Sequence, residues 1–305
     1  MNSAPSNAAE DSLNSKDGVP NVYMTTDISP QGLNAVFQAL NTSPNGKVAV
    51  KLHSGESAES NYLRPELIKN FIQSLNATIV ETNTAYGGSR ADTASHRQLV
   101  KDHGFTDIAD VDIMDGEGIF TLSVPKGTNI NENYVGKSFP DYDCYVVLSH
   151  FKGHMMGGFG GAVKNTSIGL ASAQGKSWIH SAGKQTSGFS MDTPQENFLE
   201  SMAEAALSVY DYLDGNMLFI NIMNRLSIDC DCAAKPTEPD MHDIGILAGM
   251  DPVALDQACV DLVYAAEDGA SVIERIESRK GIHTLEHAEE IGLGMRQYNL
   301  VQIDG

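Results

Sequence analysis

The architecture follows from residues 143–165, which read Asp-Cys-Tyr-Val-Val-Leu-Ser-His-Phe-Lys-Gly-His-Met-Met-Gly-Gly-Phe-Gly-Gly-Ala-Val-Lys-Asn. The apolar run that begins this stretch is typical of a strand buried on both faces. It leads directly into a segment dense in glycine, histidine and lysine. Glycine is costly in regular structure, so this density predicts a loop that turns sharply or approaches a ligand closely. Cations in such a loop predict an anionic ligand or a metal, and we interpret the segment as the floor of an active site.

Further buried strands alternate with amphipathic helices along the chain, and they are predicted at residues 47–52, 77–81, 218–222 and 244–247. This alternation predicts an α/β fold with a mostly parallel, mixed-edge sheet covered by helices on both faces. Ligands of such sheets bind beyond the carboxyl ends of the strands. Polar clusters follow four predicted strands, at residues 53–56, 82–90, 150–164 and 224–232. The sequence therefore predicts one composite site at the carboxyl ends of the strands.

The chain of 305 residues is long enough for a large core. We predict a disordered polar tail over residues 1–20 and a single α/β domain over residues 21–305. A division of that domain into lobes, about 21–185 and 186–305, stays open. The tail has neither a basic segment nor an apolar core, so we do not expect it to act as a signal peptide as it stands. A cytoplasmic protein is expected; the alternative is an exported protein whose leader has been removed.

The net charge of −20 argues against a nucleic-acid partner, because phosphate binding needs a basic face. The sequence contains no apolar run long enough to span a membrane. A small anionic molecule is the predicted partner, and a homo-oligomer stays open.

Four cysteines in so long a chain do not make a disulfide framework. Cys144 and Cys259 lie in apolar patterns and are assigned to the core. Cys230 and Cys232 flank Asp231, and residues two apart on an extended segment share a face, so both sulfurs can reach one metal. Neighbouring carboxylates raise a thiol pKa, which favours a metal over a redox nucleophile. A reduced, exposed pair in an acidic loop is the alternative.

Residue type and position indicate a role for each residue of these clusters. His150 is predicted to join the cysteine pair as a metal ligand, although His150 and His154 each fit a metal ligand, a general base or a surface histidine. The predicted catalytic residues are His154, Lys164, His180 and Glu56. The predicted ligand-binding residues are His53, Asn83, Arg90, Lys152, Gly160, Gly161, Asn165 and Lys176.

Several of these positions have ordinary structural interpretations. Arg90 also fits an ion pair with Asp92, and Glu56 also fits a solvated surface position. The glycines before Lys164 suggest a phosphate cradle of backbone N–H groups and an ammonium, without matching a known nucleotide fingerprint. Asp251 and Asp256 fit helix capping at least as well as catalysis. The histidines of an acidic helix near the carboxyl terminus, His283 and His287, are expected to be solvated.

The motifs together resemble the "uncharacterised iron–sulfur centre protein" group of domain of unknown function family 362, over about residues 22–303. The resemblance lies in residues 51–56 (Lys-Leu-His-Ser-Gly-Glu), 82–90, 149–154, 158–165, 175–180, 229–232 (Asp-Cys-Asp-Cys), 243–247 and 251–256. It implies kinship but no established reaction. Many relatives insert a ferredoxin-like segment with Cys-x-x-Cys runs, whereas residues 181–192 here contain no cysteine. A ferredoxin-type 4Fe-4S cluster is therefore not predicted, and iron, zinc or nickel held by the cysteine pair is expected instead.

A second resemblance is to the nickel-pincer lactate racemase family, with His154, Lys164 and His180 at the matching positions. It implies a lysine that holds a cofactor and histidines that move protons. The predicted function is a metal- or cofactor-dependent enzyme that acts on a small anionic molecule. The competing hypothesis is a non-catalytic protein that binds or carries a metal or cofactor through the same residues.

Overall fold

The computed structural model describes residues 18–189 and 192–304. Its strands, in chain order, are β1 (Asn21–Thr25), β2 (Val48–Lys51), β3 (Thr78–Glu81), β4 (Val111–Ile113), β5 (Ile119–Ser123), β6 (Glu132–Gly136), β7 (Cys144–His150), β8 (Lys152–His154), β9 (Gly158–Gly160), β10 (Met217–Met223), β11 (Gly245–Gly249) and β12 (Asn299–Gln302). Its helices are α1 (Pro30–Ala39), α2 (Pro65–Ser74), α3 (Thr93–Asp102), α4 (Ala162–Ser167), α5 (Ala173–His180), α6 (Gln195–Tyr212), α7 (Pro252–Ala265), α8 (Ala270–Ser278) and α9 (His283–Ile291).

Eight strands form one sheet in the order β12-β1-β11-β10-β7-β2-β3-β4. The pairs from β10 through β4 are parallel, and β11 is antiparallel to both of its neighbours. The predicted α/β class with a mostly parallel, mixed-edge sheet is therefore confirmed. Strands β7 and β10 pair directly, so the sheet joins the two halves of the chain.

Alternate residues of the central strands pack into separate cores on the two faces of the sheet. Val50 faces a core that includes Ile68 of α2, whereas Ala49 faces a core that includes Leu207 of α6 and Val260 of α7. Burial on both faces explains why these strands are nearly continuous apolar runs. Helices therefore cover both faces of the sheet, as the sequence predicted.

The glycine-rich segment is more regular than a loop. It forms the hairpin of β8 and β9 and then the short helices α4 and α5. A Cβ at Gly153 would lie 2.7 Å from backbone atoms of Ile228, and one at Gly158, where φ is +81°, would lie 2.8 Å from the Gly281 Cα. These glycines permit close packing of backbone against backbone. A high glycine content predicts close packing and close approach to a ligand equally well, so the sequence alone does not separate the two.

Two sequence predictions concern the chain termini and the membrane. The predicted tail lies mostly outside the described residues, which begin at Gly18, and the first strand, β1, was not predicted. Among the described helices, none combines the length and the apolar character that crossing a membrane requires.

Candidate functional site

A cavity of about 630 Å³ lies where β2, β3 and β7 end, and the loop that follows β10 also contributes to its lining. Most of the predicted site residues line it, namely His53, Arg90, His150, Lys152, His154, Gly160, Gly161, Lys164, Asn165, Lys176, His180, Cys230 and Cys232. Segments that are far apart in sequence therefore meet at one edge of the sheet. The cavity is large enough for a small metabolite.

Two predicted site residues, Glu56 and Asn83, do not line the cavity. Glu56 accepts hydrogen bonds from the Arg90 Nε at 2.9 Å and from the Ser89 backbone N–H at 2.6 Å. Asn83 Nδ2 donates to Thr93 Oγ1 at 2.9 Å. Glu56 therefore orients Arg90, a cation that lines the cavity. The predicted catalytic role of Glu56 stays a prediction.

The cavity is cationic although the chain is acidic. Six lysines and arginines line it, against two acidic residues, Glu81 and Asp231; the cations are Lys51, Arg90, Lys152, Lys164, Lys176 and Arg279. Lys51 pairs with Glu81 at 2.8 Å, and Arg90 pairs with Glu56 at 2.9 Å. Positive charge is therefore concentrated at this edge of a chain whose net charge is −20.

Lys164 differs from the other lysines of the cavity because its ammonium makes no hydrogen bond or ion pair with any described residue. Its side chain extends from α4 and is partly exposed, where it lines the cavity. Desolvation, followed by the charges of Lys152 and Lys51, lowers the pKa of Lys164 to about 7. A lysine with a depressed pKa and no counter-charge is characteristic of a functional site.

Lys176 has only neutral hydrogen-bond partners. Its ammonium donates to the Thr82 Oγ1 and to the Ala171 carbonyl oxygen, each at 2.5 Å. Burial lowers the pKa of Lys176 to about 7. Two lysines of the cavity are therefore easily deprotonated near neutral pH.

The hydrogen bonds of three cavity histidines assign their protons. Nδ1 of His53 accepts the Gly55 N–H at 3.0 Å, and Nδ1 of His154 accepts the Gly157 N–H at 2.9 Å. A neutral imidazole whose Nδ1 accepts a hydrogen bond carries its proton on Nε2, so Nε2 of each ring is a hydrogen-bond donor. Nδ1 of His180 instead donates to a carbonyl oxygen at 2.7 Å, which leaves Nε2 as an acceptor. Burial lowers the pKa of His180 to about 3.

His150 belongs to a buried ionic cluster. Its Nδ1 lies 2.9 Å from the Asp231 Oδ1, and its Nε2 lies 2.6 Å from the Asn224 carbonyl oxygen. Lys152 donates to the other carboxylate oxygen of Asp231. Although burial opposes ionisation, the charges of His150 and Lys152 hold the Asp231 pKa well below its usual range. Both ring nitrogens of His150 are therefore engaged, and neither is free for the predicted metal ligation.

The cysteine pair lies at the cavity with His154 rather than with His150. Cys230 and Cys232 are joined by a disulfide, with their Cα atoms 5.3 Å apart. One ligand atom from each of His154, Cys230 and Cys232 lies within 4.8 Å of the others. Two sulfurs and an imidazole suit a thiophilic metal once the disulfide is reduced. Ligation by His154 requires its Nε2 to lose a proton or its Nδ1 to exchange the backbone contact for the metal.

The predicted phosphate cradle is not formed at the start of α4. The carboxylate of Asp256 accepts the backbone N–H groups of Ala162 at 2.7 Å and Val163 at 2.9 Å. A Cβ at Gly161 would lie 2.3 Å from the Asp256 Oδ1, which explains the glycine there. These amides already have an anionic partner, so an external anion is left with side-chain donors.

Sequence reasoning missed four charged residues of the cavity, Lys51, Glu81, Asp231 and Arg279. Lys51 and Glu81 each end a buried apolar strand, and the two strands are parallel neighbours. Charged residues at the ends of adjacent parallel strands could have indicated an ion pair at the site. Glu81 also accepts hydrogen bonds from the backbone N–H and the hydroxyl of Ser54, at 2.8 and 2.9 Å. Asp231 gave no comparable signal, because its partners lie about 80 residues earlier in the chain.

The fold and the cavity define an α/β protein with a ligand-sized, cation-lined site at the carboxyl edge of its sheet. Residues 48–261 match the family described as "Domain of unknown function (DUF362)". The match covers more than half of the chain, so the chain belongs to this family. The family predicted from the sequence motifs is therefore confirmed.

Two solved structures resemble the chain at low identity. The lactate racemase apoprotein from Thermoanaerobacterium thermosaccharolyticum has a TM-score of 0.45 and 14% identity, over 86% of this chain and 59% of its own. A protein from Thermotoga maritima has a TM-score of 0.41 and 10% identity, over 84% of this chain and 58% of its own. The chain thus spans less than two thirds of either protein. No curated protein matches the sequence significantly.

Proposed function

We propose that the protein is a metal- or cofactor-dependent enzyme that binds a small anionic substrate in the cavity. The observation that carries the proposal is the ammonium of Lys164, which is exposed to the cavity and makes no hydrogen bond or ion pair with the described residues. A carboxylate or phosphate beside this ammonium would stabilise its charged form and restore its pKa. The substrate would thus supply the missing counter-charge.

The neighbouring groups have complementary roles in this proposal. The Nε2–H groups of His53 and His154 are neutral donors suited to the oxygen atoms of the anion. The Nε2 of His180 is the proton acceptor. Its low pKa makes it a weak base in the empty cavity, but a bound anion stabilises the imidazolium and raises that pKa. A metal or cofactor would supply additional charge stabilisation at the substrate.

The second candidate is a non-catalytic binding or carrier protein. The low pKa of His180 favours it, because an imidazole with a pKa of about 3 transfers protons poorly near neutral pH. Such a protein would hold its ligand through the same cations without turning it over.

The binding proposal is tested with Lys164→Met, which keeps the length of the side chain and removes its charge. Malonate, citrate, small hydroxy acids and inorganic phosphate are screened by thermal shift, and the dissociation constant of the best ligand is measured by calorimetry. We expect at least tenfold weaker binding by Lys164→Met. The matched control is Lys184→Met at an exposed position, which should bind as the wild type does. Equal binding by the Lys164 and Lys184 variants would refute the proposal.

The two candidates are separated with a carbon acid from the same screen. The protein is incubated in D₂O with that acid, and deuterium incorporation next to the carboxylate is followed by NMR. An enzyme with His180 as its base should catalyse exchange, and His180→Gln should abolish exchange while leaving binding within about threefold. Binding without exchange, in protein supplied with zinc, iron or nickel, would favour the carrier.

A further inference from the structure

The cysteine pair lies in a different electrostatic setting from the one that the sequence indicates. Two aspartates adjoin the pair in sequence, but Asp231 is buried between Lys152 and His150. Asp229 lies 3.7 Å from the Arg275 guanidinium and accepts the Thr237 hydroxyl at 2.8 Å. Both carboxylates are thus compensated, so no unpaired negative charge disfavours redox chemistry at this pair.

The same two sulfurs take part in two mutually exclusive arrangements. They are bonded to each other in the disulfide. They also lie with His154 in the one group of at least three metal-ligating residues, with ligand atoms within 4.8 Å of one another, found among the described residues. Thiolate sulfur is a strong ligand of zinc and related ions. A disulfide has no thiolate, so oxidation removes two of the three donors.

We propose that Cys230, Cys232 and His154 form a redox-gated site for a thiophilic divalent cation such as Zn²⁺. The dithiol state holds the ion, and the disulfide state releases it. The inference rests on the proposed function only in locating the metal within the same cavity.

The chemistry balances with a thiol as the co-reactant. Two thiol molecules reduce the disulfide to two cysteine thiols and are themselves oxidised to one disulfide. The cysteines then bind the ion and release two protons. In the reverse direction, a small disulfide accepts two electrons from the two thiolates, is reduced to two thiolates, and the ion departs as the S–S bond forms.

The contacts of Asp231 explain how the segment with the two cysteines keeps its position in both the dithiol and the disulfide state. Its carboxylate is fixed by His150 of β7 and Lys152 of β8, and the residue lies between the two cysteines in sequence. The segment therefore keeps its place at the cavity while the sulfurs change partners. His154 lies in β8 as well, so the same hairpin supports the third donor.

The proposal is tested by measuring Zn²⁺ binding to the full chain in both redox states. One sample is reduced with a phosphine, and another is oxidised with glutathione disulfide. The excess reagent is then removed and both are dialysed against zinc chloride. Mass spectrometry after alkylation counts free thiols, and elemental analysis counts zinc. We expect about one zinc per reduced chain, near none per oxidised chain, and recovery on renewed reduction.

Variants identify the ligands. Cys230→Ser should lose zinc in either state. His154→Gln should weaken zinc binding at least tenfold, while His242→Gln, at an exposed histidine elsewhere, should bind like the wild type. Circular dichroism establishes that each variant is folded, and Cys232→Ser replaces Cys230→Ser if the latter is not.

Three outcomes would overturn the proposal: equal zinc content in both redox states, no zinc in the reduced chain, or unchanged zinc affinity in His154→Gln. Binding of malonate or phosphate to the same preparations is measured in parallel. If that binding persists and still depends on Lys164, the anion site stands even though the metal site fails. The two proposals therefore fail independently.

Discussion

The carboxylate of Asp256 in α7 accepts the backbone N–H of Ala162, at the first residue of α4, over a distance of 2.7 Å. The same oxygen accepts a hydrogen bond from the Asn221 side chain of β10 at 2.7 Å. One buried carboxylate thereby joins the sheet, α7 and the helix that carries Lys164. By sequence, Asp251 and Asp256 both fit a cap of this helix, and in the structure Asp251 caps it.

Replacing Asp256 by alanine should therefore affect both stability and ligand binding. Loss of the carboxylate leaves buried donors unpaired, and we expect a cost of about 1–3 kcal/mol in the free energy of unfolding. We also expect weaker binding of the anion that Lys164 binds, because α4 loses its anchor. Urea unfolding and calorimetry measure the two effects.

Asp92→Ala provides the control for this variant. Asp92 caps α3 at an exposed position and accepts the Ala94 and Ser95 N–H groups, each at 3.0 Å. Its loss should lower stability by removing the helix cap and leave anion binding unchanged. Unchanged binding in Asp256→Ala as well would show that α4 holds Lys164 without this anchor.

Sequence patterns predicted what depends on local chemistry. Apolar runs identified the central strands, and their order along the chain brought Lys164, His154 and His180 to one edge of the sheet. The partners of the charged groups were not predictable in this way. The pairing of Asp231 with His150, and of Asp256 with Ala162, depends on how distant elements pack, and no local period encodes that packing.

The lowered pKa values of two cavity lysines lead to a prediction of how stability depends on pH. The pKa values of Lys164 and Lys176 are about 7 in the folded protein, against 10.5 for an unperturbed lysine. Between these values the unfolded chain binds more protons than the folded chain, so the contribution of these lysines to stability increases as pH rises from 7. Lys164→Met should reduce this increase, as measured by urea unfolding at pH 7, 8 and 9. A pH slope identical to that of the wild type would contradict the depressed pKa of Lys164.

Asp231→Ala should be among the most destabilising changes at the site. It leaves the buried Lys152 ammonium and the His150 Nδ1 without their carboxylate partner. Breaking a buried pair in this way costs on the order of 3–5 kcal/mol. Asp229→Ala is the matched control, because its carboxylate is 20% exposed and lies 3.7 Å from Arg275. We expect a cost of about 1 kcal/mol or less there. Chemical unfolding at pH 7 compares the free energies of unfolding of the two variants. Similar losses of stability would mean that water readily enters the buried cluster and solvates its charges.

His287 of α9 should make stability fall as pH rises above 6.5, the usual pKa of histidine. The sequence suggested a solvated histidine, but His287 is buried and its Nε2 lies 3.3 Å from Oε1 of Glu204 in α6. The hydrogen bond to Glu204 raises the pKa of His287 above its usual 6.5. Stability from this pair is therefore fully present below pH 6.5 and is lost as pH rises through the folded pKa. His287→Gln should remove that loss, which we expect to be about 1 kcal/mol or less. The test is the difference between wild type and variant in free energy of unfolding from pH 5.5 to 8, which cancels the opposite trend of the lysines.

His242→Gln, at a histidine that is 59% exposed and bonded to Asp268, controls for the loss of a surface imidazole. A wild-type minus His287→Gln difference that is constant across this range would mean that Glu204 does not stabilise the imidazolium.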